Sequence, residues 1–366
     1  MRQAKRLFLY ALTSRPVSRV WKPFMRGRAT ILVLHRLADR ELGTSGHDPA
    51  LLRDALAYLR RERYELLELR DLFRRLAQGV PIRGPAVVFT MDDGYLEQAS
   101  VAGDIFAAFD CPVTTFVTTG FLDGALWFWW DQIEYIFAHT QRPAVELEVG
   151  GTIVRYLRSP VTAYADAQQD FIALCKRVPE QAKLAAIEQL ATALDVEVPV
   201  RPPHRYTPMS WEQLRVLESR GMSFAPHSVT HPILSRTSDQ HSERELRESW
   251  ERLRTCAGSP VPIFAFPNGR AEDYGTREIA TLKTLGLIGA VAGTVESAAH
   301  NFPRSGDDLF RVPRLAYPDD LRLLTQYVGG LERFKEIVRT FSPSRRATVP
   351  DLGSARLPSG RAPDEN

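Results

Sequence analysis

Seven short runs of apolar and β-branched residues recur along this chain, each too short for a helix and most followed by a helical pattern. They read ILVLH (residues 31–35), AVVFT (86–90), VTTFVTT (113–119), MSFAP (222–226), PIFAF (262–266), GLIGAVAG (286–293) and FRVPRL (310–315). Strands that alternate with helices pair in parallel, because a parallel neighbour is reached only through a crossover. The expected fold class is therefore α/β. This number of strands can close into a barrel, with a doubly wound open sheet as the competing architecture. With 366 residues, 44% of them apolar, the chain has material for a sizeable core.

One long interruption separates the third and fourth runs, at about residues 123–205. It opens with LWFWWDQIEYIF, in which Trp130, Ile133 and Phe137 share one helical face. A hairpin follows, VELEVGGTIVRYL, turning at Gly150 and Gly151, and then helical stretches near 162–176 and 179–194. Segments this long inside a compact domain usually serve function, so an inserted lid or subdomain is expected. Residues 1–28 carry eight Lys and Arg and no acid, interleaved with aliphatic and aromatic side chains. Such a segment suits either a peripheral contact with an anionic membrane surface or a solvated helix packed on the domain. Residues 342–366 are rich in Pro, Ser, Gly and Arg and read as a disordered tail, which leaves 29–341 for the domain itself.

Charge excludes some functions. Lys and Arg number 47 against 44 Asp and Glu, a net of +3, so the chain lacks the broad positive field of a nucleic-acid binder. Cys111, Cys175 and Cys256 have no metal-ligand spacing and make a poor disulfide framework, which fits a reducing compartment. No apolar run approaches the roughly 18 residues a membrane span needs, and the N-terminus lacks a signal-peptide pattern. A cytoplasmic location follows as the expectation, with the basic N-terminus placing the protein on the inner membrane face if it binds there.

Three motifs stand at expected strand ends. In TMDDGY (90–95), two adjacent carboxylates raise one another's pKa, and a bound cation relieves them. Alone, Asp-Asp-Gly reads first as a solvated turn. In HSVTHP (227–232), the H-x-x-x-H spacing lets both imidazoles converge on one ion if the segment turns helically. A carboxylate with two histidines makes a metal site with open positions for water. In FAFPNG (264–269), Pro267 stiffens and Gly269 permits an unusual turn around Asn268, so amide N–H groups there can serve an oxyanion.

With these three motifs in this order, the sequence resembles the polysaccharide deacetylases that share the NodB homology domain, carbohydrate esterase family 4. The resemblance runs from about residue 85 to 315 around the insert. It implies a distorted (β/α)7 barrel and metal-dependent hydrolysis of an N-acetyl or related acyl group on a sugar. By position, Asp92 resembles the family's catalytic base, and Asp93, His227 and His231 its metal ligands, with zinc the usual ion. Two departures stand out. Ala265 and Asn268 occupy positions where many members carry an arginine and an aromatic residue. The partner of the base is then unidentified, with Arg311 and Arg314 of the last run as substitutes. The late L-x-H that supplies the general acid is also missing. A branch of the family places that histidine on the first strand, and Val33-Leu34-His35 matches it.

A histidine near neutral pKa suits protonation of an amine leaving group, which makes His35 the candidate acid and His300 the fallback. The competing reading of His35 is a partly buried core residue. The other histidines, at 47, 139, 204 and 241, read as surface or loop residues. Trp127, Phe128, Trp129 and Trp130 are suited either to the core or to a sugar or lipid face, with Trp130 the substrate candidate. The expected partner is an N-acylated carbohydrate, polymeric, oligomeric or lipid-linked. A non-catalytic carbohydrate-binding barrel and an O-acetyl sugar esterase are the alternatives.

Overall fold

The computed structural model of the chain describes residues 17, 20–158, 164–293, 308–331, 333 and 334. The tail at 342–366, His300 and most of residues 1–28 lie outside the described residues. The strands are β1 (Ala29–Leu34), β2 (Glu65–Leu66), β3 (Ala86–Asp93), β4 (Val113–Val117), β5 (Ala144–Val149), β6 (Thr152–Leu157), β7 (Ser223–Pro226), β8 (Ile263–Ala265), β9 (Gly289–Ala292), β10 (Val312–Pro313) and β11 (Leu315–Ala316). Each of the seven apolar runs contributes a strand, and the last is split between β10 and β11.

The first sheet runs β11-β1-β3-β4-β7, with β2 also on β3, and the second runs β10-β9-β8. Every ladder in both is parallel. The last run joins them, since Val312 pairs with Val291 of β9 and Leu315 with Leu32 of β1. On the opposite side no ladder links β7 to β8, and the Val261 N–H donates to the Phe224 carbonyl at 2.7 Å. The strands thus nearly complete a seven-strand circuit, interrupted there. β7 and β8 are only four and three residues long.

Period-2 alternation shows that the circuit wraps one interior. Ala29 and Ile31 of β1, Ala86 and Val88 of β3, Phe116 of β4, Ala225 of β7, Ile263 and Ala265 of β8, Val291 of β9 and Val312 of β10 all join a single buried cluster. The helix Leu69–Gln78 plugs it with Leu69, Leu72, Phe73 and Leu76, an i, i+3, i+4, i+7 stripe, and stops at Gly79 in the left-handed conformation. The intervening strand residues, among them Leu32, Leu34, Val87, Phe89, Phe224 and Phe264, join a second cluster with the surrounding helices.

The insert buries a third cluster of its own. The helices Trp129–His139, Ala165–Cys175 and Glu180–Ala193 pack with the β5–β6 hairpin, whose turn falls at Gly150 and Gly151 as the sequence indicated. The buried stripe of the first helix is Trp129, Ile133, Ile136 and Phe137, while Trp130 sits at its edge, packed against the main cluster as well. No helix among the described residues is long and apolar enough to cross a membrane.

Gly289 allows the plug helix to approach β9. A Cβ there would lie 2.3 Å from Phe73 Cε1 and 2.6 Å from the Leu309 carbonyl oxygen. Gly289→Ala is expected to destabilise the protein by about 1–3 kcal/mol, the usual cost of overpacking. In urea the midpoint should fall with the slope unchanged, and an unaltered midpoint would refute the close approach.

Candidate active site

The alternation that fills the interior continues past the ends of the strands. Following the inward positions 29, 31 and 33 leads to His35; 86, 88 and 90 lead to Asp92; 225 leads to His227; and 312 leads to Arg314. Four groups from four strands meet at the C-terminal ends, where a parallel barrel gathers its functional side chains. They line a pocket of about 420 Å³.

Asp93 is out of phase with this register and would point away from Asp92 on a regular strand. It joins the site because its backbone turns left-handed, at φ 84°, with Gly94 following at 93°. The Gly94 position has no room for a side chain, since a Cβ would meet Leu122 Cδ1 at 2.6 Å. Asp93 Oδ1 then lies 3.8 Å from His227 Nε2 and 3.6 Å from His231 Nε2. One donor atom from each of these residues falls within 4.8 Å of the others.

The segment 227–231 does not form the helical turn that the H-x-x-x-H spacing suggested. Ser228 and His231 adopt φ of 66° and 59° and curl the loop so that both rings face Asp93. Non-glycine residues in this region carry strain that the surroundings must hold in place. Glu245, buried on the helix Asp239–Cys256, accepts from Val229 N at 2.8 Å, Thr230 N at 2.9 Å and Thr230 Oγ1 at 2.7 Å. The Ser228 hydroxyl accepts from His231 N at 3.0 Å. A carboxylate on an amphipathic helix gives no sequence signal for such a role.

His227 Nδ1 lies 2.8 Å from the Ala265 carbonyl. As donor there, it leaves the Nε2 lone pair facing Asp93. Ala265, where many family members carry arginine, thus contributes through its backbone. Burial lowers the His227 pKa to about 4, against the raising pull of Asp92. Burial, and then His227, lower that of His231 well below the ordinary value. Both imidazoles are neutral, the state in which they bind metal. Asp93 Oδ1 is buried without a hydrogen-bond partner, and burial, Asp92 and Asp131 push its carboxyl pKa up. A buried oxygen with no donor, facing two neutral imidazoles, fits a divalent cation.

Of the two arginines left open by the sequence, Arg314 meets Asp92. Its Nη1 donates to Oδ1 at 2.6 Å and its Nη2 to Oδ2 at 2.7 Å, and Nη1 also reaches Thr90 Oγ1 at 3.2 Å. Burial alone would raise the Asp92 pKa, but Arg314, followed by His227, holds it well below the usual carboxylate range. Arg311 pairs instead with Asp308 at 2.7 Å. His35 Nε2 stands 3.8 Å from Asp92 Oδ2 with 55% of its side chain exposed, so it is a wall of the pocket rather than a core residue. Burial of the ring against the protein lowers its pKa, opposed by Asp92. The Gln98 side-chain amide, which the sequence reading passed over, donates to the carbonyls of both His35 and Asp92 at 2.5 Å.

Asn268 lines the pocket at φ 56°. Gly269 follows at φ 70° and donates to the Pro267 carbonyl at 2.7 Å. Trp130 also lines the pocket, stacked on Phe128 at 4.3 Å and edge-on to His231 at 4.7 Å, while Trp127, Phe128 and Trp129 are buried. The Trp130 indole donates to Tyr95 Oη at 3.0 Å, and Tyr95 in turn donates to Asp131 Oδ2 at 2.7 Å. Arg36 covers the Tyr95 ring and binds Glu97. His47, His139, His204 and His241 lie outside the pocket, although His241 touches Glu245 at 3.2 Å.

A sequence model of the family described as polysaccharide deacetylase matches residues 183–287. Over that stretch the chain is similar to the polysaccharide deacetylases. The matched stretch holds HSVTHP and FAFPNG, and the fold returns TMDDGY, upstream of the insert, to the same pocket. A Streptococcus pyogenes deacetylase, PplD, solved in complex with acetate, is 18% identical, with 82% of this chain and 98% of that one covered at a TM-score of 0.52. IcaB from Ammonifex degensii is 15% identical, with 83% and 97% covered at 0.50. At these identities the likeness is one of fold. No curated protein matches. The match to the deacetylase model, with the likeness of fold, indicates a hydrolase acting on a carbon–nitrogen bond.

Asp131 offers a test of the pocket's electrostatics. Burial, opposed by Arg36 and Tyr95, raises its pKa to about 7. The native state then holds a proton that the unfolded chain has lost, so this group's stabilisation is complete below about pH 4 and is lost as pH rises to 7. Asp131→Asn should remove that slope, worth up to about 4 kcal/mol. Urea midpoints at pH 5 and pH 8 should differ less in the variant than in the wild type, and identical differences would contradict the assignment.

Proposed function

We propose that this protein removes an N-acetyl or related acyl group from an amino sugar of a polysaccharide, oligosaccharide or lipid-linked precursor, using a divalent cation, zinc first among the candidates. The observation that carries the reading is one pocket in which Asp93, His227 and His231 face each other beside an Arg314-held Asp92 and a solvent-reaching His35. Asp93, His227 and His231 would hold the cation, whose Lewis acidity makes water a nucleophile near neutral pH and polarises the acyl oxygen.

The chain's own residues account for the protons. Asp92, kept ionised by Arg314, takes a proton from the attacking water as its oxygen bonds to the acyl carbon. The bidentate clamp fixes the carboxylate's orientation, which is the service expected of the missing motif arginine. His35 gives a proton to the amine as the C–N bond breaks. Its Nε2 is 3.8 Å from Asp92, so the proton removed from water has a short path to it. A lowered pKa makes the imidazolium a stronger acid once formed. In the Pro267-Asn268-Gly269 turn proline has no N–H and Gly269 N donates to the Pro267 carbonyl, so the Asn268 N–H is the donor of this turn that would stabilise the oxyanion. Trp130 offers an aromatic face for the sugar. A carboxylate and a free amino sugar leave.

Retention of Asp92, which a metal site alone does not need, favours an enzyme over a carbohydrate-binding barrel. With purified protein supplied with zinc, N-acetylglucosamine oligomers should yield acetate and free amine in equal amounts. Acetate released only from O-acetyl sugars, without amine, would make it an esterase instead. Asp92→Asn and His35→Ala should each lower kcat/KM by about 10²-fold or more, and variants as active as wild type would refute the roles assigned. Metal content provides an independent check. About one divalent ion per chain is expected in the wild type and a loss of that ion in His231→Ala. Failure of the wild type to take up zinc would overturn the mechanism.

A further inference from the structure

The pocket does not end at the histidines. Ile172, Lys176 and Asn268 line it and also line a second cleft of about 460 Å³, between the insert helix Ala165–Cys175 and the loop 268–273. In the first pocket each arginine is committed to an acid: Arg314 to Asp92, Arg36 to Glu97, and Arg205 to Glu134 at 2.7 Å. The second cleft is different. It gathers Lys176, Arg177, Arg236 and Arg270 against only two acids, Glu272 and Asp273.

Neither acid neutralises the cluster. Asp273 is buried and turned into its own loop, accepting from Arg270 N at 3.0 Å. Glu272 comes no nearer than 4.0 Å to the Arg270 guanidinium, with both side chains exposed. Among the described residues, Lys176, Arg177 and Arg236 make no side-chain ion pair or hydrogen bond. Burial, and then the charge of Arg270, hold the Lys176 ammonium below the ordinary lysine value against the raising pull of Asp273.

We propose that this cleft is an anion subsite, and that the substrate is an N-acylated sugar bearing a phosphate or carboxylate on the same residue or the next. The anion's oxygens are held by Lys176, Arg177, Arg236 and Arg270, of which the guanidinium forks suit either oxyanion. Asn268, shared by both cavities, stands between the acyl-cleaving groups and this charge. The placement of the anion relative to the acyl group rests on the hydrolase reading above; the anion affinity itself does not.

The test is calorimetric titration of chelator-treated full-length protein, so that neither turnover nor a bound metal contributes. The probes are N-acetylglucosamine, N-acetylglucosamine 1-phosphate, and an N-acetylglucosamine–glucuronate disaccharide. At least one charged sugar should bind about 10-fold or more tightly than the neutral one, with an advantage that shrinks in salt. The probe that gains identifies phosphate or carboxylate as the anion. Arg177→Ala/Arg236→Ala should abolish the advantage while leaving neutral-sugar binding and the urea midpoint unchanged, since both side chains are on exposed residues. Equal affinity for charged and neutral sugars, no binding of either charged sugar, or an advantage that survives the double substitution would overturn the proposal. If charged sugars bind through Arg177 and Arg236 while no acyl sugar releases acid, the hydrolase reading fails and the subsite stands.

Discussion

Two adjacent, fully buried carboxylates set the terms for the C-terminal end of this barrel-like fold. Burying one ionised carboxylate without a partner costs several kcal/mol, and burying two side by side costs more. Asp92 is satisfied by Arg314, delivered from the junction of β10 and β11, where the chain passes from one sheet to the other. The same guanidinium reaches Thr90, whose hydroxyl donates to the Leu32 carbonyl of β1. One ion pair therefore ties the last strand to the third and first. Asp93 receives no such partner within the chain, and its bare oxygen faces two neutral imidazoles. The division of labour between the two acids follows from that difference: one is held ionised by protein, the other is suited to a cation.

Backbone strain is concentrated where this division is made. Asp93, Ser228, His231 and Asn268 are all non-glycine residues at positive φ, and all belong to the three motifs. Each departs from the period-2 direction that its strand would impose, which is how side chains from successive residues can be aimed at one point. The cost is offset by buried anchors such as Glu245 under the histidine loop and Gln98 beneath Asp92 and His35. The strands provide a rigid register, and the strained turns convert that register into a site.

The insert gives the site its surroundings. Its first helix lays Trp130 against His231 and sends Asp131 toward Tyr95, while its second carries Lys176 and Arg177 to the rim. It packs around its own apolar cluster, so its inner face is set independently of the barrel's interior. The barrel-like fold acquires in this way a wall that is aromatic on one side and cationic on the other.

Much of this was legible in the sequence. Apolar runs of strand length separated by helical periods imply parallel strands because parallel pairing requires crossovers, and all seven runs form strands. The inward phase could also have distinguished Arg314 from Arg311, since Arg314 is two residues from the buried Val312 and Arg311 is out of step with it. The helical turn expected at 227–231 did not form, because spacing alone cannot show that a loop is held open by a distant glutamate. Residue identities and their spacing determined which strands exist, which face of each points inward, and which motifs stand at their ends. Tertiary structure alone decided the bare oxygen of Asp93, the clamp of Arg314 on Asp92, the grip of Glu245 and the unpaired cations of the second cleft. Each of those depends on groups far apart in the chain and on how completely water is excluded between them, and neither quantity is encoded locally.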